Sequence, residues 1–327
     1  MKLFDAHADL GYDVLDKHRQ GRKNIIKTDH LEKLIQGEVF GVGMACFFKG
    51  DEDWATAKAM VSTLREEILA NADRIHLTTG ELWDESRINA LITVEGMGFL
   101  KRDDEKTITW LYDQGVRIAS LSWNDENALC TGVKGTPDRG LTLMGKQAVR
   151  IMHRLGMAVD LSHTNEKSFW DILAVDQGPV LATHSNARAL SNVDRNLTDQ
   201  QLKAIAKRGG LVGLVSAARF IHPEAGQNTA ANLAKHGRYI ADLIGVQHLC
   251  LGLDFMDYLE GYQRNGLDLD NASQSQNLIH ALRQEGFSEQ ELQAIAWDNI
   301  VAFLKALPQQ KTMPSHHPQF ITKTTQL

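Results

Sequence analysis

Eight apolar, strand-like runs alternate with amphipathic helical segments along most of this chain. The runs cover residues 2–9, 39–48, 90–95, 116–123, 158–163, 180–184, 211–216 and 249–254. Strands separated by helices are typical of a parallel sheet whose helices cover its outside. Eight strand–helix units over about 300 residues predict an α/β fold, the (β/α)8 or TIM barrel.

The main alternative is an open, doubly wound sheet, which carries a glycine-rich phosphate-binding turn after its first strand. The chain has His-Ala-Asp-Leu-Gly at that position, which is not such a turn. No low-complexity linker divides the sequence, so we predict a single barrel domain over residues 1–307. Residues 308–327 are polar and lack periodicity, which predicts a C-terminal tail that is flexible or lies at a subunit contact, as in a homodimer.

Short spacings mark several helix ends. Capping boxes are indicated by Asp29 with Glu32, Thr198 with Gln201 and Ser288 with Glu291. We expect a left-handed C-cap at Gly115 and at Gly156, because each glycine follows a helical pattern and precedes a strand.

Composition narrows the class of partner. The net charge of −6 and the isoelectric point near 6.1 argue against binding to nucleic acid or to an anionic membrane surface. No apolar stretch approaches the roughly 20 residues that cross a bilayer, and we find no export signal. The three cysteines have no metal-binding spacing, so they predict reduced thiols and a cytoplasmic location.

Residues of metal-ligating type occupy the carboxyl ends of five predicted strands. In a barrel these ends face one mouth, and residues two apart on a strand point to the same side. Six residues of this type lie at these strand ends, whereas one zinc ion takes only three or four protein ligands. Six ligands therefore favour two ions about 3.5 to 4 Å apart, bridged by a carboxylate. The expected cofactors are therefore two divalent ions, Zn²⁺ first among them, with Glu95 as the natural bridge. The six residues are His7, Asp9, Glu95, His163, His184 and Asp254.

Five short motifs, in their order along the chain, resemble the successive motifs of the membrane (renal) dipeptidase family of dinuclear zinc metallopeptidases. The resemblance covers residues 3 to 306 and extends to Trp297-Asp298-Asn299 and Phe303 near the end. The motifs are His7-Ala8-Asp9, Val94-Glu95-Gly96, Asp160-Leu161-Ser162-His163-Thr164, Thr183-His184-Ser185-Asn186-Ala187 and Gly252-Leu253-Asp254-Phe255.

This resemblance implies an amidohydrolase-like barrel and a dipeptidase activity. His7 and Asp9 would hold one zinc ion, His163 and His184 the other, and Glu95 would bridge both. Asp254 would complete the first site. A hydroxide shared by the two ions would attack the amide carbonyl, with Asp254 moving the proton to the departing amine.

The resemblance also implies three substrate-binding residues. Arg195 matches the arginine that binds the free carboxylate of a dipeptide, and its planar fork suits bidentate recognition. Trp123 stands where mammalian-type family members carry a histidine that steadies the tetrahedral intermediate. We expect Trp123 or Asn124 to replace that histidine, or the substrate to differ. An indole N–H donates one hydrogen bond but carries no charge.

Two alternatives to a zinc dipeptidase follow. The replacement at Trp123 also fits a related binuclear-metal hydrolase that acts on another amide or on a lactone. A metal-binding homologue without catalysis is the second alternative. The presence of Asp254 argues against it, because a structural metal site does not need a proton shuttle.

Overall fold

The computed structural model describes residues 1–101, 105–259 and 265–308. Within these residues nine β-strands form one sheet in which every strand pairing is parallel. The strands are β1 (Leu3–Ala8), β2 (Val39–Phe47), β3 (Ile75–Leu77), β4 (Ile88–Glu95), β5 (Ile118–Ser120), β6 (Ala158–Asp160), β7 (Val180–Leu181), β8 (Val212–Leu214) and β9 (Leu249–Leu251).

Eight of these strands form a barrel. Around the circuit the order is β1, β2, β4, β5, β6, β7, β8 and β9, and β9 pairs again with β1. A parallel bridge between Ala182 and Val212 joins β7 to β8. There the Ala182 N–H donates to the Leu211 carbonyl at 2.8 Å, and the Gly213 N–H donates to the Ala182 carbonyl at 2.8 Å. The predicted (β/α)8 barrel is therefore confirmed.

Each of the eight predicted strand regions overlaps one barrel strand, and β4 begins at Ile88, two residues before the predicted start. Most observed strands are shorter than predicted because the polar residues at their carboxyl ends belong to the loops that follow. Sequence reasoning missed β3, which pairs with β4 outside the barrel circuit. β3 has a histidine at its centre and is flanked by Arg74 and Thr78, so unlike the barrel strands of similar length it does not lie within a longer apolar run.

Helices follow the barrel strands. Two π-helical turns, Ile26–His30 and Ala294–Asp298, precede α2 and α12. The described residues contain α1 (Leu10–Arg19), α2 (Leu31–Gln36), α3 (Trp54–Ala70), α4 (Glu105–Asp113), α5 (Leu143–Leu155), α6 (Glu166–Leu173), α7 (Asp199–Lys207), α8 (Ala218–Ile221), α9 (Ala230–Ile244), α10 (Ser275–Gln284), α11 (Glu289–Gln293) and α12 (Asn299–Ala306). The predicted domain border near residue 308 stays a prediction, because residues 309–327 lie outside the described part.

Most of the predicted helix caps are present. Thr198 with Gln201 and Ser288 with Glu291 form capping boxes at the starts of α7 and α11. Gly156 has φ 84° and ends α5 in the left-handed conformation, and Gly115, at φ 102°, also has the predicted positive φ. The predicted capping box of Asp29 with Glu32 is wrong. Asp29 lies inside a π-helical turn, where its carboxylate accepts hydrogen bonds from two neighbouring cations instead.

An apolar cluster fills the barrel interior beneath the carboxyl ends of the strands. Its side chains come from six barrel strands and from α12, which closes the amino-terminal end. Phe4 fits there because β2 carries a glycine opposite it: a Cβ atom on Gly41 would lie 2.1 Å from the Phe4 ring. Leu91 belongs to the same cluster. Leu91 and Glu95 lie on one face of β4, so Glu95 stands two layers above, at the mouth.

A buried ion network fixes helix α1 behind the first strand. Asp13 accepts hydrogen bonds from His30 Nε2 and Lys17 Nζ, both at 2.7 Å. Burial raises the pKa of Asp13, but the bonds from His30 and Lys17 outweigh it and lower the pKa below the usual value. This stabilisation is therefore present above the ordinary aspartate pKa of about 3.9 and is lost as the pH falls through the lower folded value.

Replacing Asp13 by asparagine should destabilise the protein by about 1–3 kcal/mol at pH 7 and by less near pH 3, since the lost bonds are to charged groups. Urea unfolding of wild type and D13N at both pH values measures this difference. Asp16 on the same helix accepts an exposed bond from Gln20 at 2.8 Å, so D16N is the matched control with little expected effect. An equal loss in D13N at both pH values would contradict the ionic origin.

Among the residues that the structure describes, no helix is both long enough and apolar enough to traverse a bilayer. The cytoplasmic location and the homodimer stay predictions.

Cys46, Cys130 and Cys250 are buried free thiols, as the sequence predicted.

Candidate metal centre

The barrel brings the predicted ligand residues to one place. Glu95 is the last residue of β4, and Asp9 follows β1 directly. His163, His184 and Asp254 each lie three positions beyond the end of their strand. This repeated offset carries the three side chains just above the carboxyl edge of the barrel, where the parallel strands converge. All six predicted ligands are at least 92% buried, since their residue exposures lie between 0% and 8%.

Glu95 lies between two groups of ligands. Its Oε2 is 3.3 Å from His7 Nε2, which in turn is 3.4 Å from Asp9 Oδ1. Its Oε1 contacts His163 Nε2 and lies 3.6 Å from His184 Nε2. The two oxygens of one carboxylate thus face two different pairs of side chains. This is the arrangement expected of a residue that bridges two cations.

The donor atoms of this cluster fit metal ions. His7, Asp9 and Glu95 form one group whose ligand atoms all lie within 4.8 Å of one another, and Glu95, His163 and His184 form a second. Three of these atoms, His7 Nε2, Asp9 Oδ1 and Glu95 Oε1, are buried without a hydrogen-bond partner among the described residues. Buried polar atoms without partners are costly, and divalent cations would satisfy them.

A hydrogen-bonded relay orients His184. The Thr183 hydroxyl donates to Asp160 Oδ2 at 2.5 Å, so its oxygen is left to accept from His184 Nδ1 at 2.8 Å. This fixes the proton on Nδ1 and leaves the Nε2 lone pair to face Glu95 and His163. Asp160 also accepts bonds from Ser162, so its oxygens are engaged although it lies within ligand distance of His7 and His184. Asp160 and Thr183 belong to the sequence motifs, but their role in orienting His184 was not predicted from the sequence.

Asn124 contacts a predicted ligand. Its Oδ1 accepts a hydrogen bond from His163 Nδ1 at 3.1 Å, which turns the Nε2 lone pair of His163 toward Glu95. The substrate-binding role predicted for Asn124 stays a prediction, and the contact seen here orients the imidazole. Trp123 lies beside it, with its ring 6.1 Å from the His163 ring.

Arg195 reaches the cluster from the loop after β7. It is 7% exposed, and its Nη1 donates to the Ser162 carbonyl. Its Nη2 lies 3.0 Å from His163 Nε2. The Nε–H of Arg195 has no partner among the described residues, so a buried donor remains open beside the ligands. Burial lowers the pKa of Arg195 to about 10, which leaves the guanidinium charged at neutral pH.

Burial and mutual charge set the protonation of the ligands. Burial, together with the charge of Arg195, lowers the pKa of His163 to about 4. Burial and the neighbouring His7 also lower the pKa of His184. Both imidazoles are therefore neutral at pH 7, as metal ligands must be. For His7 burial is outweighed by the charge of Glu95, which raises its pKa. A cation bound to His7 would replace that proton.

Asp254 is held in an unusual conformation. It has φ 54°, a left-handed value that is rare outside glycine, and its N–H donates to the His7 carbonyl at 3.1 Å. The preceding residue, Leu253, donates its N–H to Asp5 Oδ1 at 2.7 Å. Burial and the charge of Asp9 raise the pKa of Asp254 well above the usual value. Asp254 belongs to none of the three ligand groups identified by distance, so its role as a ligand stays a prediction.

A (β/α)8 barrel with a buried cluster of metal-ligating side chains at its mouth is an architecture that metal-dependent hydrolases use. The sequence matches the family described as "Membrane dipeptidase (Peptidase family M19)" over residues 1–316. The chain therefore belongs to this family, and the family predicted from the five motifs is confirmed.

Two relatives and one solved structure are similar to this chain. A protein of Klebsiella pneumoniae, "Uncharacterized protein in pqqA 5'region", is 32% identical over 76% of this chain and 95% of its own length. The "Dipeptidase verJ" of Clonostachys rogersoniana is 28% identical over 93% of this chain and 84% of its own. A metallopeptidase from Rhodobacter sphaeroides, solved with a phosphinate mimic of L-Ala-D-Ala, shares the fold with a TM-score of 0.81 and 24% identity. That match covers 93% of this chain and 99% of the other.

Proposed function

We propose that this protein hydrolyses the amide bond of dipeptides at a centre of two divalent ions, with Zn²⁺ as the expected metal. The observation that carries the proposal is the position of Glu95, whose two oxygens face His7 on one side and His163 with His184 on the other. Family membership and the dipeptidase activity named for a relative support the same substrate class. His and carboxylate ligands suit zinc but also cobalt or manganese.

His7, Asp9 and Glu95 would hold one ion, and Glu95, His163 and His184 the other. Two bound ions would lower the pKa of a water molecule and polarise the amide carbonyl, which is the chemistry that such centres supply. Asp254 stands next to this cluster with a raised pKa, so its carboxylate is suited to accept a proton from the attacking water. The same proton can then pass to the departing amine, whose release needs an acid.

Arg195 would bind the free carboxylate of the substrate. Its guanidinium is buried beside His163, and its Nε–H points to no partner among the described residues. A carboxylate there would gain a charge-assisted hydrogen bond in a site shielded from water. The C-terminal end of a dipeptide would then lie at the β7 side of the mouth.

Replacing Arg195 by methionine should lower kcat/KM for a dipeptide by about 100-fold, because hydrogen bonds to charged groups contribute about 1.5–3 kcal/mol. The matching dipeptide amide, which lacks the carboxylate, should lose much less. Steady-state kinetics on both substrates gives the comparison. Arg219 is exposed on α8, so R219M is the control and should match the wild type. Equal losses of R195M on both substrates would contradict carboxylate binding.

A stereochemically defined dipeptide library, assayed with the metal-replete protein, tests the proposed function. We expect hydrolysis of at least one dipeptide series and loss of that activity after chelation. A panel of acylated amides and lactones runs in parallel, because Trp123 replaces the family histidine. Activity on that panel with none on any dipeptide would overturn the proposal in favour of a related binuclear hydrolase. No activity on either panel would favour the metal-binding homologue.

A further inference from the structure

Four half-buried aromatic rings form a continuous arc along one side of the barrel mouth. The Tyr258 ring lies 6.4 Å from the Tyr12 ring, and Tyr12 lies 5.9 Å from Phe47. Phe47 then packs edge-on against Trp123 at 5.0 Å, and Trp123 lies 6.1 Å from His163. We call these four residues the aromatic wall. Tyr12 lies in the first turn of α1, Phe47 ends β2, and Trp123 and Tyr258 lie in the loops after β5 and β9.

The aromatic wall borders the metal centre. Phe47 pairs with Glu95 in the register of β2 and β4, so both side chains leave the sheet on the same side. At the other end of the arc, burial and the charges of Asp9 and Asp254 raise the pKa of Tyr258, which places its phenol near these carboxylates. Partly exposed rings beside a buried charged cluster leave an apolar surface open to whatever occupies the site.

The strand order places the Phe47 part of this surface across the mouth from Arg195. In the circuit of eight strands, β2 and β7 lie four positions apart in either direction, which is diametrically opposite. Phe47 ends β2, and Arg195 follows β7. A substrate whose carboxylate meets Arg195 and whose amide lies above Glu95 therefore directs its other end toward Phe47.

We propose that the aromatic wall selects dipeptides whose N-terminal residue carries an apolar or aromatic side chain. This inference rests on the proposed function, since it names the preferred substrates of the same site. A large side chain would cover the rings of Phe47 and Trp123 and remove apolar surface from water on both partners. A glycine at that position would leave the rings exposed to water. A carboxylate side chain would lose hydration when it packs against the rings, which is unfavourable.

The wild-type protein provides the first test. Leu-Ala, Phe-Ala, Gly-Ala and Glu-Ala are compared, with the alanine in whichever configuration the dipeptide library favours. We expect kcat/KM for Leu-Ala and Phe-Ala to exceed that for Gly-Ala and Glu-Ala by about tenfold or more, the range that hydrophobic pockets reach. Gly-Ala or Glu-Ala cleaved as well as Leu-Ala would overturn the inference while leaving the proposed function intact. No cleavage of any dipeptide would overturn both.

Variants of Phe47 provide the second test. In F47A the preference for Phe-Ala over Gly-Ala, measured as the ratio of the two kcat/KM values, should fall by about tenfold. A circular dichroism spectrum that matches the wild type shows that the variant is folded. F47L should keep most of the preference, and W170A, at a 37%-exposed tryptophan on α6, should keep all of it. An unchanged preference in F47A would contradict a selecting role for the wall.

Discussion

Replacing Glu95 by glutamine should lower dipeptide hydrolysis by about a thousandfold or more, because transition-state stabilisation of several kcal/mol depends on both ions. The amide of glutamine keeps the size of the side chain but offers one oxygen in place of two. It therefore cannot serve His7 on one side and His163 with His184 on the other. Initial rates at saturating metal measure the loss.

Glu67 provides the matched control for this variant. It is also a buried glutamate, but it binds His18 Nε2 at 2.8 Å and the Ile26 N–H at 3.1 Å, behind the barrel. E67Q should lose stability without losing its activity per folded molecule. Wild-type rates in E95Q would contradict a bridging role for Glu95.

Replacing Asp254 by asparagine should lower kcat by about 10²- to 10⁴-fold, the usual contribution of a positioned general acid–base group. Asparagine keeps the shape of the side chain and tolerates the left-handed backbone at φ 54°. It cannot accept the proton. Because none of the ligand groups identified by distance includes Asp254, metal content should change much less than kcat. Kinetics and metal analysis of one D254N preparation test both statements.

Asp257, in the same loop, separates the proton shuttle from loop structure. Its carboxylate pairs with Lys33 at 2.5 Å and lies outside the cluster. D257N should keep kcat within a small factor of the wild type. If D254N retained full activity, Asp254 would have no part in proton transfer. If it instead lost metal in step with activity, Asp254 would act as a ligand, as the family resemblance implied.

The barrel could be predicted because each strand leaves a local record in the sequence. An apolar run followed by His, Asp or Glu locates both the strand and its carboxyl end, and the (β/α)8 architecture then requires these ends to meet. The sequence therefore predicts that six residues far apart along the chain form one cluster at the barrel mouth. The short strand β3 has no such apolar run, so its pairing with β4 could not be predicted from the sequence.

Contacts between loops of different strands could not be predicted. Asn124 was expected to bind substrate, but its hydrogen bond to His163 depends on how the loops after β5 and β6 pack together. The relay from Asp160 through Thr183 to His184 likewise crosses from β6 to β7. The aromatic wall joins four residues from distant parts of the chain, and their shared face follows only from the strand order.

The central claim is a centre of two divalent ions bridged by Glu95, and the number of ions bound per folded chain tests it most directly. The protein is stripped with chelator, titrated with Zn²⁺, freed of loosely bound metal and analysed for metal and protein. We predict two ions per chain, with activity rising as the centre fills. One ion or fewer per chain in fully active protein would contradict the account.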